Sequence, residues 1–369
     1  MQKSAVEHPN RPIRVKFLSK ACRERNLDAW LGRFPGGVPR WGRCEFLFDP
    51  AAREYDWLVV YDDLPSDPGR DWEPLACPPD HTLLITAEPS SVKVYGSRYT
   101  RQFGWVLTSQ EPWALRHPRA IRCQPGLVWY YGATGHGDAV ISPRGRYDAI
   151  VQNVPLQKTR VLSAVLSSKS MRHTLHHQRV RFVTRLQAVL PELDVYGHGW
   201  NYVPDKADAL DPYRFHLAIE NHVAPHHWTE KLADAFLGAC VPFYHGCPNY
   251  ADYFPEESVI PIDIFDFDRS LEIIRRAIRD REDEKRRPAV LESRRRYLER
   301  YWLFAQVARL IEERHPVVSG AATAGARIAS RYRVRSECWW GAVEELTEKC
   351  AVRVRCLLNR RHQRMLASP

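Results

Sequence analysis

No stretch of the 369-residue chain reaches the roughly 18 consecutive apolar residues that a transmembrane helix needs. The opening MQKSAVEHPNRPIRV holds no apolar core of the kind a secretory leader carries, and a cytoplasmic protein is expected. The nine cysteines are scattered, odd in number and contain no CxxC pair, so they read as reduced thiols and not as a disulfide framework. No P-loop, nucleophile elbow or dinucleotide-binding glycine motif stands in a convincing context. His173, His176, His177, His222 and His226 lack an HExxH setting, so no metal site is expected. Internal repeats and low-complexity tracts are also missing, and disorder and collagen-like architecture are excluded by composition.

What is present is the balance of a folded protein: 44% hydrophobic and 27% charged residues. The length suits two ordinary domains or one large one. Lys and Arg exceed Asp and Glu by 10, which favours an anionic partner. Half of that excess lies beyond residue 330, so the rest of the chain is only mildly basic. The tail interleaves Arg with Trp339, Trp340, Leu357 and Leu358. That pattern suits both an interfacial amphipathic helix and a terminal helix docked on the body.

Short apolar runs at 14–18, 44–48, 57–61, 83–86 and 105–108 read as strands, several continuous enough to be covered on both faces. Asp62-Asp63, after the run WLVVY, reads as a solvated strand end. A polar region at about 143–159 is the expected linker. Beyond it strands at 161–166, 194–197, 216–220, 241–244 and 259–264 alternate with helices at 176–190, from 229, and at 271–279. This alternation predicts a doubly wound parallel sheet, and two such sheets in one chain would make a cleft between them. The segment 281–302 reads as a charged helix with Leu291, Tyr297, Leu298 and Trp302 as its packing points. Asp263, Asp266 and Asp268 read as caps.

Chemistry concentrates in residues 215–267. A strand ends at Glu220-Asn221, and a helix begins at Thr229 with Glu230 and Lys231 in its first turn. In a parallel sheet, ligands bind beyond the carboxyl ends of strands, against helix N-termini whose free N–H groups and dipole attract phosphate. Lys231 would add a full charge to a diphosphate, and Glu230 would accept from a ribose diol.

The literal string goes further. Glu220, Asn221, Thr229, Glu230, Lys231, Val241, Pro242, Gly246, Pro248, Asn249, Tyr250, Phe254, Pro255, Ser258 and Ile260 stand in the order of the donor-binding signature of the α1,3/4-fucosyltransferases, which this segment resembles. Upstream, Arg179, Phe182 and Leu186, then a strand ending Val195-Tyr196-Gly197, look like the same family's phosphate-arginine helix and next strand. The resemblance is clearest over 161–285. It departs at Ile219, where the family often has an aromatic residue, and at His227, where it often has a tyrosine.

The resemblance implies a GT-B architecture of two Rossmann-like domains facing across a cleft: an acceptor-side domain over 1–150, a GDP-sugar domain over 151–310, and a basic helical tail over 311–369. It implies that Arg179 and Lys231 hold the GDP diphosphate, that Glu230 binds ribose, and that Glu220, Asn221 and His227 lie at the donor. It also implies inverting transfer of fucose from GDP-fucose to a glycan hydroxyl, in α1,3 linkage, without a metal or other cofactor. Glu88-Pro89-Ser90, after an N-terminal strand, looks like the family's base-bearing element with Ser and Pro exchanged, making Glu88 the candidate base. The basic tail is expected to hold the chain on the inner face of an anionic membrane, where lipid-linked glycan acceptors are built. Transfer of another GDP-sugar is one alternative; a non-enzymatic nucleic-acid- or membrane-binding protein is another, although residues 1–330 are too weakly basic for a nucleic-acid partner to be expected.

Overall fold

The computed structural model describes residues 11–65, 71–134, 140–166, 174–197, 199–315, 323–337 and 339–358. His173 lies outside them.

The N-terminal half supplies β1 (Ile13–Ser19), β2 (Arg40–Trp41), β3 (Cys44–Leu47), β4 (Trp57–Tyr61), β5 (Trp72–Pro74), β6 (Thr82–Ile85), β7 (Trp105–Thr108) and β8 (Ala120–Arg122). All but β5 form one sheet in the order β2-β3-β1-β4-β6-β7-β8, parallel except for the β2–β3 pair. The runs WLVVY and TLLI are buried at every residue because both faces of the sheet are covered. Alternation divides them: Trp57, Val59, Leu83 and Ile85 face one core, while Leu58, Val60 and Leu84 face another with Tyr95, Tyr99 and Phe103. Short helices α1 (Leu27–Leu31), α2 (Ser97–Thr100) and α3 (Tyr147–Gln152) and the ladder of β9 (Ala133–Thr134) with β10 (Val140–Ile141) complete this half. The expected linker is thus partly helical, and residues 153–159 are without regular structure.

The second sheet runs β12-β11-β13-β14-β15, wholly parallel, from β11 (Arg160–Leu166), β12 (Leu193–Gly197), β13 (Tyr213–Ile219), β14 (Val241–His245) and β15 (Ile260–Pro261). Helices α4 (His176–Gln187), α5 (Glu230–Leu237), α6 (Phe267–Arg279) and α7 (Glu282–Arg296) connect and flank it. Asp266 caps α6 by accepting from Arg269 N, and Asp263 accepts from Phe265 N, as their spacing predicts. Asp268 instead pairs with Arg185, 3.2 Å away.

After a π-turn at Tyr297–Tyr301 the chain crosses back. Helix α8 (Leu303–Arg314) drives Phe304 among Phe17, Phe34, Phe46 and Phe48, with ring centroids 4.5 to 5.6 Å apart. Residues 303–314 therefore pack on the N-terminal sheet and not within a 151–310 unit. Strand β16 (Arg327–Ala329) then pairs antiparallel with β5, and α9 (Arg331–Ser336) and α10 (Trp339–Leu358) dock on the segment after β6. Of the two readings of the tail, the docked helix describes its inner face: Val352 and Cys356 are buried with Val94. No helix among the described residues is long and apolar enough to cross a membrane.

Two α/β sheets, one wholly parallel and the other parallel but for its β2 edge, turn their carboxyl ends to one cleft and make the GT-B-like arrangement expected above.

Candidate active site

Glu220 follows β13 and is fully buried. It survives there because Thr229 donates both its backbone N–H, at 2.8 Å, and its hydroxyl, at 2.8 and 2.9 Å, to the carboxylate. Thr229 is also the N-cap of α5, its hydroxyl accepting from Lys231 N. One carboxylate thereby pins the first turn of the helix to the end of the neighbouring strand. The close fit explains a glycine: a Cβ at Gly246 would stand 2.5 Å from Glu220 Cγ and from the Tyr244 hydroxyl.

Lys231 Nζ lies 2.9 Å from Glu230, 3.1 Å from Thr229 Oγ1 and 3.5 Å from Glu220. Burial works against the ammonium, but Glu230 and Glu220 outweigh it and hold its pKa above the ordinary value. Burial likewise opposes ionisation of Glu230, which Lys231 overcomes, keeping that carboxyl below the usual range. For Glu220 burial dominates and pushes its carboxyl up despite Lys231.

Arg179, in the first turns of α4, is 4% exposed and donates to Ile219 O at 3.5 Å. Its Nε and the side-chain oxygen of Asn221 have no hydrogen-bond partner among the described residues. Buried groups of this kind are costly unless a ligand or water satisfies them. Sequence reasoning placed Arg179, Glu220, Asn221, Glu230 and Lys231 together, and the fold brings all five to one strand-end cluster.

His227 has a different setting. It is 3% exposed, stands 3.1 Å from Ser109 Oγ of the other half, and packs edge-on to His222. Burial, with help from His222 and Lys231, drives its pKa down to about 3, so it is neutral. Its observed hydrogen bond joins the two halves. His222 does the same through Glu111, 3.2 Å away, and Glu111 accepts from Ser90 at 2.7 Å. His226 meets Asn249 and Tyr253.

Glu88 follows β6 on the opposite wall. Its backbone is fixed at both ends, N–H to the Tyr95 hydroxyl and carbonyl to the Gln110 amide. Its side chain is open to solvent. It nevertheless stands in the cleft, where loss of hydration and then repulsion by Asp62 and Glu230 raise its pKa. The charges of Glu230 and Lys231 are both near enough to act on the Glu88 carboxyl.

Asp62 is not a solvated strand end. Its backbone is left-handed, φ 70°, and its carboxylate accepts from Lys93 and Tyr95 at 2.6 Å, with Lys20 at 3.0 Å. Sequence reasoning also missed Lys93, whose pKa burial lowers to about 8 against the pull of Asp62, and the Ser90–Glu111–His222 bridge. A carboxylate placed one to three residues past a buried strand was the available signal, shared by Asp62 and Glu111.

Residues 155–285, which hold the strand-end cluster, match the family model for glycosyltransferase family 10 (fucosyltransferase), C-terminal part. The resemblance is to the family 10 fucosyltransferases. The 4-galactosyl-N-acetylglucosaminide 3-alpha-L-fucosyltransferase 9 of Mus musculus is 34% identical over 94 residues, 24% of this chain and 26% of that protein. The corresponding enzyme FUT6 of Pongo pygmaeus is 37% identical over 98 residues, covering 25% and 27%. The matches thus span about a quarter of the length of the curated relatives. A crystal structure of an alpha1,3-fucosyltransferase aligns over 88% of this chain and 94% of its own, with a TM-score of 0.48 at 15% identity.

Proposed function

We propose that this chain is an inverting glycosyltransferase that moves fucose from GDP-fucose to a glycan hydroxyl in α1,3 linkage. The observation that carries the reading is the convergence of Arg179, Glu230 and Lys231 at the carboxyl ends of one sheet, with Glu88 facing them from the other. The family of the matched segment and the activity for which its relatives are named support fucose as the sugar and α1,3 as the linkage.

In this reading Glu88 takes the proton of the acceptor hydroxyl, whose oxygen attacks the anomeric carbon from the face opposite GDP. The bond from that carbon to the β-phosphate oxygen breaks, and GDP departs with the electron pair. Arg179 and Lys231 meet the charge that grows on the diphosphate, so they stabilise the transition state more than the ground state. Glu230 accepts from the ribose diol, Asn221 offers its unpartnered oxygen to the donor, and Glu220 holds the α5 N-terminus in place. His227, neutral and bonded to Ser109, sets the spacing between the walls.

The test is a thermal-shift titration of the purified chain with GDP, GDP-fucose, GDP-mannose and UDP, without added metal. GDP and GDP-fucose should raise the melting temperature by mass action while UDP does not. Lys231→Ala and Arg179→Ala should abolish the rise, and in turnover assays each should cost about 2–4 kcal/mol of transition-state stabilisation. No rise with any guanine nucleotide overturns the reading. A rise with GDP-mannose equal to that with GDP-fucose makes the sugar another GDP-linked one.

A further inference from the structure

A pocket of about 600 Å³ opens beside Glu88, between the segment after β6 and the returning helices α9 and α10. Six cationic side chains line it: Lys20, Lys93, Arg331, Arg335, Lys349 and Arg353. Only two lining residues are acidic, Asp62 and Glu88. Asp62 is already shared by Lys20 and Lys93. The buried Glu345 of α10 is shared by Arg331 at 3.2 Å, Arg335 at 3.6 Å and Lys349 at 2.9 Å. Arg353 has no ion pair or hydrogen bond among the described residues. Arg331 is anchored by Val94 O at 2.6 Å, so the wall is tied to the segment that carries Glu88.

Cations in such excess within a recess repel one another, and a neutral ligand would desolvate them without return. A ligand with an anionic group would form charge-assisted hydrogen bonds there. The pocket does not include Arg179, Glu230 or Lys231, so it is not the diphosphate site. Four of its cations come from residues 331–353, outside the segment that matches the family.

Building on the transferase reading above, we propose that this pocket receives an acceptor glycan bearing an anionic group, a phosphate or sulfate ester or a carboxylate. The anion sits among Arg335, Lys349 and Arg353 while the reacting hydroxyl faces Glu88. The C-terminal helices are thereby part of the acceptor site, and they set which glycans the chain accepts.

The test uses the full chain saturated with GDP, whose binding is measured first in the same calorimeter cell. Three probes follow at low ionic strength: 4-galactosyl-N-acetylglucosamine, its sulfate ester, and the same disaccharide carrying a sialic acid carboxylate. At least one anionic probe should bind about tenfold more tightly than the neutral one, with the margin shrinking as salt is added. Preference for the sulfate alone assigns an ester anion; preference for the sialylated probe alone assigns a carboxylate. Arg353→Glu, at an exposed position with no partner to lose among the described residues, should cut the preference at least about threefold and leave GDP affinity unchanged. Equal affinities for all three probes, a preference that survives Arg353→Glu, or no binding of either anionic probe up to about 10 mM overturns the proposal. Failure of GDP itself to bind overturns the donor-site reading instead, so the two failures are told apart.

Discussion

In the proposed transfer Glu88 is the base, and its environment sets when it can work. Reduced hydration in the cleft comes first, then repulsion from Asp62 and Glu230, and both favour the protonated form. A general base must be unprotonated, so activity is lost as pH falls through its pKa. Because that pKa is raised, the acid limb of kcat/KM should lie above the ordinary glutamate value of about 4.3. Glu88→Gln should remove that limb and lower kcat by about a hundredfold or more, with GDP binding intact. A pH–rate profile of both proteins checks this; a limb that persists in the Gln variant assigns it to another group, and lost GDP binding makes Glu88 structural.

At the scale of elements, the strand-end cluster depends on how closely β13, β14 and α5 approach one another. The lock is Glu220, held by two donors of Thr229 and roofed by Gly246. A methyl group at residue 246 must displace the Glu220 stem or the Tyr244 ring, both buried. Gly246→Ala should therefore cost about 1–3 kcal/mol, the usual range for overpacking a filled site, and should weaken GDP binding by tilting α5. Urea denaturation with nucleotide titration reads both effects; unchanged values would mean that the strand end gives way freely. Helix α10 shows another division of labour within one element. Val352 and Cys356 face the body, Lys349 and Arg353 face the pocket, and Val343, Leu346, Val354 and Leu357 remain exposed.

At the scale of the molecule, the chain passes from the first sheet to the second and then returns. The return rests on aromatic packing: Phe304 is fully buried against four phenylalanines of the N-terminal half, and Trp302 lies 5.2 Å from Phe34 and from Trp41. Arg294, buried at the end of α7, donates to Leu237 O, Ile150 O and Asn153 O and so binds the two halves from behind. Removing the Phe304 ring should cost about 3–5 kcal/mol through lost burial and a residual cavity. Phe304→Ala should lower the urea midpoint accordingly. A loss below about 1 kcal/mol would mean that α8 is held by its other contacts.

The sequence by itself determined the strands at 57–61 and 105–108 to the residue, the start of α5 at its Thr229 cap, and the meeting of Glu220, Thr229, Glu230 and Lys231 at one strand end. These are local signals: continuous apolar runs, a capping side chain, and a motif whose parts lie within about one strand–loop–helix unit. Only the tertiary structure decided what long separations bring together. Ser109 reaches His227, Glu345 gathers three cations of a wall, and residues 303–314 join the first sheet instead of the second. It turned Asp62 from a solvated strand end into a buried ion-pair centre, because Lys20 and Lys93 meet it only once β1, β4 and the segment after β6 are aligned. Periodicity describes which face of an element is apolar; which distant charge will stand opposite it depends on the packing of whole sheets.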